Sequence, residues 1–346
     1  MLILKGGIIK IYKFTNSNSN NPQDIEIKEI IKIEEEEYNF NYGIELKNGN
    51  LAFCSEDSTI KIIKINYNQI DNNQEDNDNN NIDNKYAIIQ KIDLGNEPMY
   101  IIKEFIKGEL ILGCWQYILI FLKVPKINKY ELMNKVLIKD KTFSLIELSK
   151  GVIISSQCYS KKLTIFNMNN YKFNIINNIE SNENPNIICK YNKRNDIVIV
   201  AYNKGINIVS ITNKCIIKNF EIKAKVTSLC PFITHLNNKN TEIFSLLCGI
   251  KSKVFNQNVN YNYNFIQIGF NIDDKNGEKI EIVIFEEKSK VHFNEINSIE
   301  NLFFSNNKII NMNRDEQLII SIGSEDKRLI LWEDNHKKEN KNNLKI

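Results

Sequence analysis

Residues 318–333 read Leu318-Ile-Ile-Ser-Ile-Gly-Ser-Glu-Asp-Lys-Arg-Leu-Ile-Leu-Trp332-Glu333, an apolar run, a polar turn and an alternating run that ends in Trp. The stretch Leu51-Ala-Phe-Cys-Ser-Glu-Asp57-Ser-Thr-Ile-Lys-Ile-Ile-Lys-Ile65 repeats this pattern near the other end of the chain. A strand pair that recurs at such a distance favours an array of similar units over a single enzyme core.

Similar strand pairs can be marked along most of the chain, because nearly every periodic stretch alternates with period two or is a short β-branched run. The other clear pairs join 2–4 to 8–14, 110–114 to 117–121, 152–156 to 163–166 and 197–201 to 206–211. A sixth pair is ambiguous, since 243–248 fits either 265–268 or 280–285. Room for two more strands lies between consecutive pairs, so the sequence predicts an all-β chain of four-stranded units.

The units repeat every 43 to 60 residues or so, slightly more than the roughly 40–45 of WD repeats, and polar inserts account for the excess. The insert at about 66–85 is rich in Asn and Asp and cannot bury apolar surface, so we expect it to be disordered. We predict one domain over 1–335 and a polar tail over 336–346. Three alternatives remain for the ring: Leu344-Lys-Ile346 supplies a closing strand, the ring is incompletely closed, or the sequence is truncated.

This arrangement resembles the WD-repeat (WD40-like) β-propeller family, in a divergent and Asn-rich form. The second and seventh units resemble the family at residue level, because Ser55, Asp57, Ser324, Asp326 and Trp332 fall where the family places its strand-end Ser, turn Asp and Trp. The resemblance implies four-stranded blades, with seven favoured. An Asp at such a position caps its own turn, so these residues are predicted to be structural rather than ligands.

Charge and composition argue against nucleic-acid and membrane partners. The 346 residues carry 45 basic and 42 acidic side chains, a formal charge of +3, and Arg194, Arg314 and Arg328 are the only arginines. Bidentate recognition of phosphate or guanine favours Arg, so nucleic-acid binding is not expected. No stretch has the about 20 apolar residues that a membrane helix needs, so stable membrane insertion is not expected either.

The seven cysteines are widely spaced, mostly within apolar runs, and include no Cys-x-x-Cys pair. We therefore expect buried, reduced thiols in a cytoplasmic protein, with the nucleus as an alternative location. The segment Met1–Ile11 is apolar, but Lys5 and Gly6-Gly7 interrupt it too early for a signal peptide.

Motifs for catalysis are lacking. The sequence has no zinc-ligand cluster, no P-loop and no Gly-x-Ser-x-Gly elbow, so we predict a protein that is not an enzyme and needs no cofactor. One alternative is a propeller enzyme with a site in its central channel. Another is a membrane-trafficking, phosphoinositide-binding propeller, although the Phe-Arg-Arg-Gly motif of that kind is absent.

Recognition of other proteins is the favoured role. In a propeller, the turns between second and third strands share one face with the starts of the innermost strands. That face would include Trp115, Tyr159, Tyr202, Glu35 and Glu36, and aromatic anchors ringed by acids suit a basic segment. Ordinary turn or core packing is the competing interpretation for each aromatic. The sequence thus predicts a non-catalytic protein-interaction scaffold, of undetermined oligomeric state, that binds proteins or peptides.

Overall fold

The computed structural model of the chain describes residues 2–5, 8–16, 25–34, 40–66, 85–181, 183–191, 194, 196–222, 225–236, 241–251, 263–272, 280–292, 296–302, 318–323 and 329–333. Within these ranges every regular element is a β-strand, in agreement with the predicted all-β class. The strands form seven antiparallel sheets, five with four strands and two with three. None of the described residues belongs to a helix long and apolar enough to span a membrane.

The first compact unit comprises Met1–Asn178 and contains four sheets, the last of which ends two residues beyond it. Its strands are β1 (Leu2–Lys5), β2 (Ile8–Asn16) and β3 (Ile25–Glu34); β4 (Phe40–Glu45), β5 (Leu51–Ser55), β6 (Thr59–Ile65) and β7 (Tyr86–Asp93); β8 (Met99–Glu104), β9 (Leu110–Cys114), β10 (Tyr117–Val124) and β11 (Lys129–Leu137); and β12 (Thr142–Ser149), β13 (Val152–Gln157), β14 (Lys162–Asn169) and β15 (Lys172–Glu180). In every sheet the strands pair in chain order.

The second compact unit comprises Ile179–Ile346. Its strands are β16 (Ile187–Lys190), β17 (Ile197–Tyr202), β18 (Gly205–Ser210) and β19 (Cys215–Glu221); β20 (Lys225–Leu236), β21 (Thr241–Lys251), β22 (Tyr263–Ile272) and β23 (Ile280–His292); and β24 (Ile296–Leu302), β25 (Leu318–Gly323) and β26 (Leu329–Glu333). The ambiguous sixth pair is resolved, because β21 pairs with β22 and β22 pairs in turn with β23. All the other predicted strand pairs are confirmed by the observed registers.

Alternation along the second strand of each four-stranded sheet explains how the core is built. In β9, Leu110, Leu112 and Cys114 pack with residues of β5 and β6, whereas Ile111 packs with residues of β12–β14. Because successive side chains of a strand point to opposite faces, one fully buried strand joins two neighbouring sheets. The second unit repeats this packing between its first two sheets, where Ile197, Ile199 and Ala201 contact Phe244 and Leu246 in one cluster.

Gly113 lies at a point where two neighbouring sheets approach each other closely. A Cβ atom at this position would lie 2.7 Å from Thr142 Cγ2 and 2.8 Å from Ile101 Cγ2. Any larger residue would force these side chains apart in a densely packed interior. The glycine therefore allows the third and fourth sheets of the first unit to pack closely at this level.

All seven cysteines lie in described residues and are free. Cys54, Cys114, Cys230 and Cys248 are buried, Cys158 and Cys189 are half-buried, and Cys215 is exposed, so the expectation of buried thiols fails for Cys215. Burial raises the pKa of Cys114 to about 12, with the Glu97 carboxylate acting in the same direction. Thiols of this kind are poor nucleophiles at neutral pH.

Several sequence predictions fall wholly or mainly outside the described residues. Only the two ends of the Asn-rich insert are described, and the backbone nitrogen of Asn66 donates a hydrogen bond to the carbonyl of Lys85 at 2.9 Å. The polar tail over 336–346 lies outside the described ranges. The single domain over 1–335 stays a prediction.

Candidate functional site

Two of the three aromatic residues predicted to bind partners lie together on the surface of the first unit. Trp115 lies in the β9–β10 turn and is 41% exposed, and Tyr159 lies in the β13–β14 turn and is 65% exposed. Their ring centroids are 5.9 Å apart, with the planes tilted by 56°. Turns of two neighbouring sheets therefore contribute to one aromatic surface.

Two further aromatic residues that were not predicted from the sequence extend this surface. The Tyr100 ring centroid lies 6.5 Å from that of Trp115 and 5.6 Å from that of Phe143. Pairs in these tilted and edge-on arrangements contribute about 0.5–1.5 kcal/mol beyond area burial. We call Tyr100, Trp115, Phe143 and Tyr159 the aromatic cluster.

Backbone irregularities place Tyr100 and Phe143 in the cluster. The register of β8 against β9 shifts between Met99 and Ile101, and that of β12 against β13 shifts between Thr142 and Ser144. Each shift leaves one unpaired residue near the start of the first strand of a sheet, and a β-bulge of this kind redirects a side chain. Strict alternation of period two therefore could not have identified these two positions.

Lys141 projects its ammonium group into the aromatic cluster. Its Nζ atom lies 3.7 Å from the Tyr100 ring centroid, 4.5 Å from that of Phe143 and 5.4 Å from that of Trp115. A cation over the face of an aromatic ring is attracted by the negative charge of the π system. Partial burial lowers the pKa of Lys141, while Cys158 and Glu56 act in the opposite direction.

The connection between β11 and β12, residues 138–141, holds the β9–β10 turn in place. The carbonyl of Gln116, next to Trp115, accepts hydrogen bonds from the backbone nitrogens of Ile138 at 2.7 Å and Lys139 at 3.1 Å. Lys139 has a positive φ of 63°, an uncommon conformation for a residue other than glycine, which turns the chain between these hydrogen bonds and Asp140. The Trp115 turn is thus fixed by its own sheet.

Asp140 in the same connection fixes the neighbouring Tyr159 turn. Asp140 is 5% exposed. Its Oδ1 atom accepts hydrogen bonds from the backbone nitrogens of Lys141 at 2.6 Å and Tyr159 at 3.0 Å, and Oδ2 accepts one from Ser160 at 2.7 Å. Hydrogen bonds to a buried charge are stronger than those between neutral groups, so Asp140 links the two turns firmly. In the sequence, Lys-Asp-Lys has the appearance of an ordinary polar gap.

The β5–β6 turn, in the preceding sheet, is held by Asp57. Asp57 Oδ1 accepts hydrogen bonds from the backbone nitrogen of Thr59 at 3.0 Å and its hydroxyl at 2.7 Å, while Ser55 Oγ accepts one from the Asp57 nitrogen at 3.5 Å. Partial burial acts to raise the pKa of Asp57, but the hydrogen bonds with Thr59 and Ser55 and the charge of Lys61 together hold the pKa below its ordinary value. Glu56 in this turn is exposed. Burial raises the pKa of Tyr100, and the Glu56 carboxylate adds to that effect.

Tyr202 differs from the prediction, because it is buried. It is the last residue of β17, is only 3% exposed and pairs with Gly205 across a two-residue turn. Burial raises the pKa of Tyr202, while hydrogen bonds with Ser181 and Asn207 act in the opposite direction. A side chain enclosed in this way has no face free for a partner, so Tyr202 does not belong to the candidate surface.

The remaining predicted residues are not placed by the structure. Glu35, Glu36, Ser324 and Asp326 lie outside the described residues. Trp332 lies in β26, where its backbone pairs with Ile319, and its role in the core stays a prediction. Among the residues that are described, no group of three or more His, Cys, Asp or Glu side chains could hold a metal ion.

Comparison with known proteins gives similarity of structure rather than of sequence. The sequence matches no protein-family model and no curated protein. A chain in the crystal structure of the mitotic checkpoint complex is similar with a TM-score of 0.62 and 9% identity, over 96% of this chain and 85% of that one.

A second solved structure identifies the type of fold. The WD40 β-propeller domain of Doa1 is similar with a TM-score of 0.55 and 12% identity, over 96% of this chain and 88% of that one. Identities this low are informative about the fold alone. Together with the seven antiparallel sheets of up to four strands, these two structural similarities show that the chain has the fold of a WD40 β-propeller.

Proposed function

We propose that this protein is a non-catalytic interaction scaffold that binds a protein or peptide partner at the aromatic cluster. The observation that carries the proposal is the joint exposure of Trp115 and Tyr159, at 41% and 65%, on turns held by inter-strand and inter-sheet hydrogen bonds. Aromatic side chains lose little conformational entropy on binding and dominate the energetics of protein interfaces. Turns fixed before binding reduce the entropy cost further.

The location of the cluster supports this proposal. Two sheets carry the cluster. In each of them, the turn between the second and third strands lies beside the start of the first strand, and Trp115 accordingly lies beside Tyr100. Function in such folds resides in the sites on the loops and not in the fold itself. A channel enzyme and a phosphoinositide-binding propeller remain alternatives that no described residue favours.

The kind of partner is indicated only by the sequence, and only in outline. The acids Glu35 and Glu36, together with exposed Glu56, underlie the expectation of a basic segment. A cytoplasmic location, with the nucleus as the alternative, is part of the same proposal and is supported by the free thiols of the seven cysteines.

Affinity capture of the tagged full-length chain, with quantitative mass spectrometry, tests the proposal. We expect the double substitution Trp115→Ala and Tyr159→Ala to remove the captured proteins that the wild type retains. The matched control is Met133→Ala with Ile176→Ala, which removes two side chains of similar exposure, 50% and 52%, from the outer strands β11 and β15. Equal capture by the wild type and the aromatic double variant, with both folded, would reject the aromatic cluster as the binding surface.

A further inference from the structure

The Lys141 ammonium lacks an anionic partner within the described part of the chain. Its backbone nitrogen donates to Asp140, and its Nζ atom lies over the rings of Tyr100, Phe143 and Trp115. Lys135 provides a comparison, because its Nζ also lies 3.7 Å from a ring centroid, that of Tyr117, and in addition forms an ion pair with Glu97 at 3.0 Å. Lys141 has the aromatic contacts without the carboxylate.

Charges of both signs lie near the cluster among the described residues. Lys139 lies in the same connection as Lys141, and Lys161 lies in the same turn as Tyr159; both side chains are exposed. The Asp140 carboxylate is already occupied by three backbone nitrogens. Glu56 is the exposed acid whose charge reaches Lys141. With Lys141 included, three lysines compare with two acids, of which only Glu56 is exposed, so the balance of accessible charge is positive and favours an anionic ligand over a cationic one.

The rings also favour an anion over a second cation. Lys141 already occupies the faces of Tyr100 and Phe143, so a cationic side chain from a partner would have to displace it. A carboxylate would instead form a charge-assisted hydrogen bond to Nζ, in surroundings that are partly removed from water. Trp115 and Tyr159 keep exposed ring surface for an apolar side chain next to that carboxylate.

We infer that the aromatic cluster and Lys141 bind an acidic segment of a partner protein, with an Asp or Glu carboxylate on the Lys141 ammonium and a neighbouring aromatic or aliphatic side chain on Trp115 and Tyr159. The inference rests on the proposed interaction function and reverses the expected charge of the partner. The basic segment expected from the sequence depended on acids such as Glu35 and Glu36, which lie outside the described residues.

Three synthetic peptides and fluorescence anisotropy test the inference. One labelled peptide alternates Glu and Asp with Phe, the second has Lys at every acidic position, and the third has Gln there. We expect the full-length protein to bind the acidic peptide at least about tenfold more tightly than the other two, and added salt to weaken this binding. Lys141→Met should reduce that affinity about tenfold, since the apolar stem is kept and only the charge is removed.

The control variant is Lys129→Met, which changes the net charge equally. Lys129 is exposed at the start of β11, next to the end of β10 that is farthest from Trp115. It should leave the affinity for the acidic peptide unchanged. Lys141→Gln provides a second test of the charge, and thermal unfolding confirms that each variant is folded.

Each remaining outcome contradicts the inference. Equal affinity of the wild type and Lys141→Met for the acidic peptide, or no binding of this peptide to the wild type, would overturn it. Tighter binding of the Lys-containing peptide would also overturn the inference. If the Lys-containing peptide bound more tightly and Trp115→Ala abolished that binding, the aromatic cluster would still be the interaction surface and only the inferred charge of the partner would be wrong. If capture of partners is also insensitive to the aromatic double variant, the proposed function fails as well.

Discussion

Trp115 and Tyr159 in the first unit occupy turns that correspond to the one next to Tyr202 in the second unit, yet only the first two are exposed. Tyr202 is 3% exposed, compared with 41% for Trp115 and 65% for Tyr159. All three turns connect the second and third strands of a sheet. The residues differ in their position relative to the end of the second strand. Tyr202 is the last residue of its strand, whereas Trp115 and Tyr159 lie one and two positions after the ends of theirs.

Four sheets show the same pattern. The last residues of the second strands are buried: Ser55, Cys114, Gln157 and Tyr202. The next residue is exposed in three of these sheets, and in the fourth Cys158 is half-buried and Tyr159 exposed. Second strands are enclosed on both faces. Whether an aromatic side chain is buried or exposed therefore depends on whether it lies before or after the end of the strand, and not on its residue type.

The strongest test of this comparison is the loss of the Tyr202 ring. Tyr202→Ala should lower the free energy of unfolding by about 3–5 kcal/mol, because it removes a buried aromatic and leaves a cavity. Trp115→Ala should lower it by less, about 1–2 kcal/mol, because the side chain is partly exposed and loses mainly its ring contacts with Tyr100 and Tyr159. Chemical denaturation of both variants measures the difference. Tyr202→Phe, which removes only the hydroxyl and its hydrogen bonds, should cost about 1 kcal/mol. Similar losses for Tyr202→Ala and Trp115→Ala would contradict the assignment of core and surface.

An intermediate effect is expected from the residue that joins the two exposed turns. Asp140→Asn should lower the free energy of unfolding by about 2–3 kcal/mol, because an amide presents only one acceptor oxygen and removes the charge that three backbone nitrogens share. Hydrogen exchange at the amides of Tyr159 and Ser160 should accelerate in this variant. Asp93→Asn is the control, since Asp93 accepts one exposed hydrogen bond from Gly95 at 2.8 Å. Unchanged exchange at Tyr159 would show that Asp140 does not hold that turn.

The smallest effect concerns pH and the β5–β6 turn. Because the folded-state pKa of Asp57 lies below its ordinary value, its contribution to stability is present above that ordinary value. The contribution is lost as the pH falls through the lowered pKa. The stability advantage of the wild type over Asp57→Asn should therefore shrink across that acidic range, as measured by denaturation at several pH values. A constant difference between the two proteins would argue against a charged Asp57 as the stabilising species.

Much of the fold was predictable because alternation and turn composition are local signals. The pairing of 51–55 with 59–65 and of 197–201 with 206–211 followed from apolar runs separated by short polar turns, and the registers confirm both. The sixth unit could not be resolved from the sequence, since 265–268 and 280–285 carry equivalent patterns. Its strands are also long, at 10–13 residues, so several registers would satisfy the alternation.

The candidate site was only partly predictable, because it depends on features without a local signal. The exposed positions of Trp115 and Tyr159 follow from where their strands end. Tyr100 and Phe143 reach the surface through β-bulges, which a pattern of period two cannot show. The role of Asp140 depends on a neighbouring sheet whose turn lies about 20 positions later, so nothing next to Asp140 in the sequence indicates it.

Site-specific photo-crosslinking tests the central claim most directly. A photoreactive benzoylphenylalanine placed at position 115 or 159 of the full-length chain should crosslink to another protein in cells. The same group at position 133 or 176, on similarly exposed positions of outer strands, should give little crosslinking. Mass spectrometry of the crosslinked peptides identifies the contacts. Crosslinks to another protein at 115 and 159 but not at 133 and 176 are the predicted result, and equal yields at all four positions, or none at 115 and 159, would contradict the account.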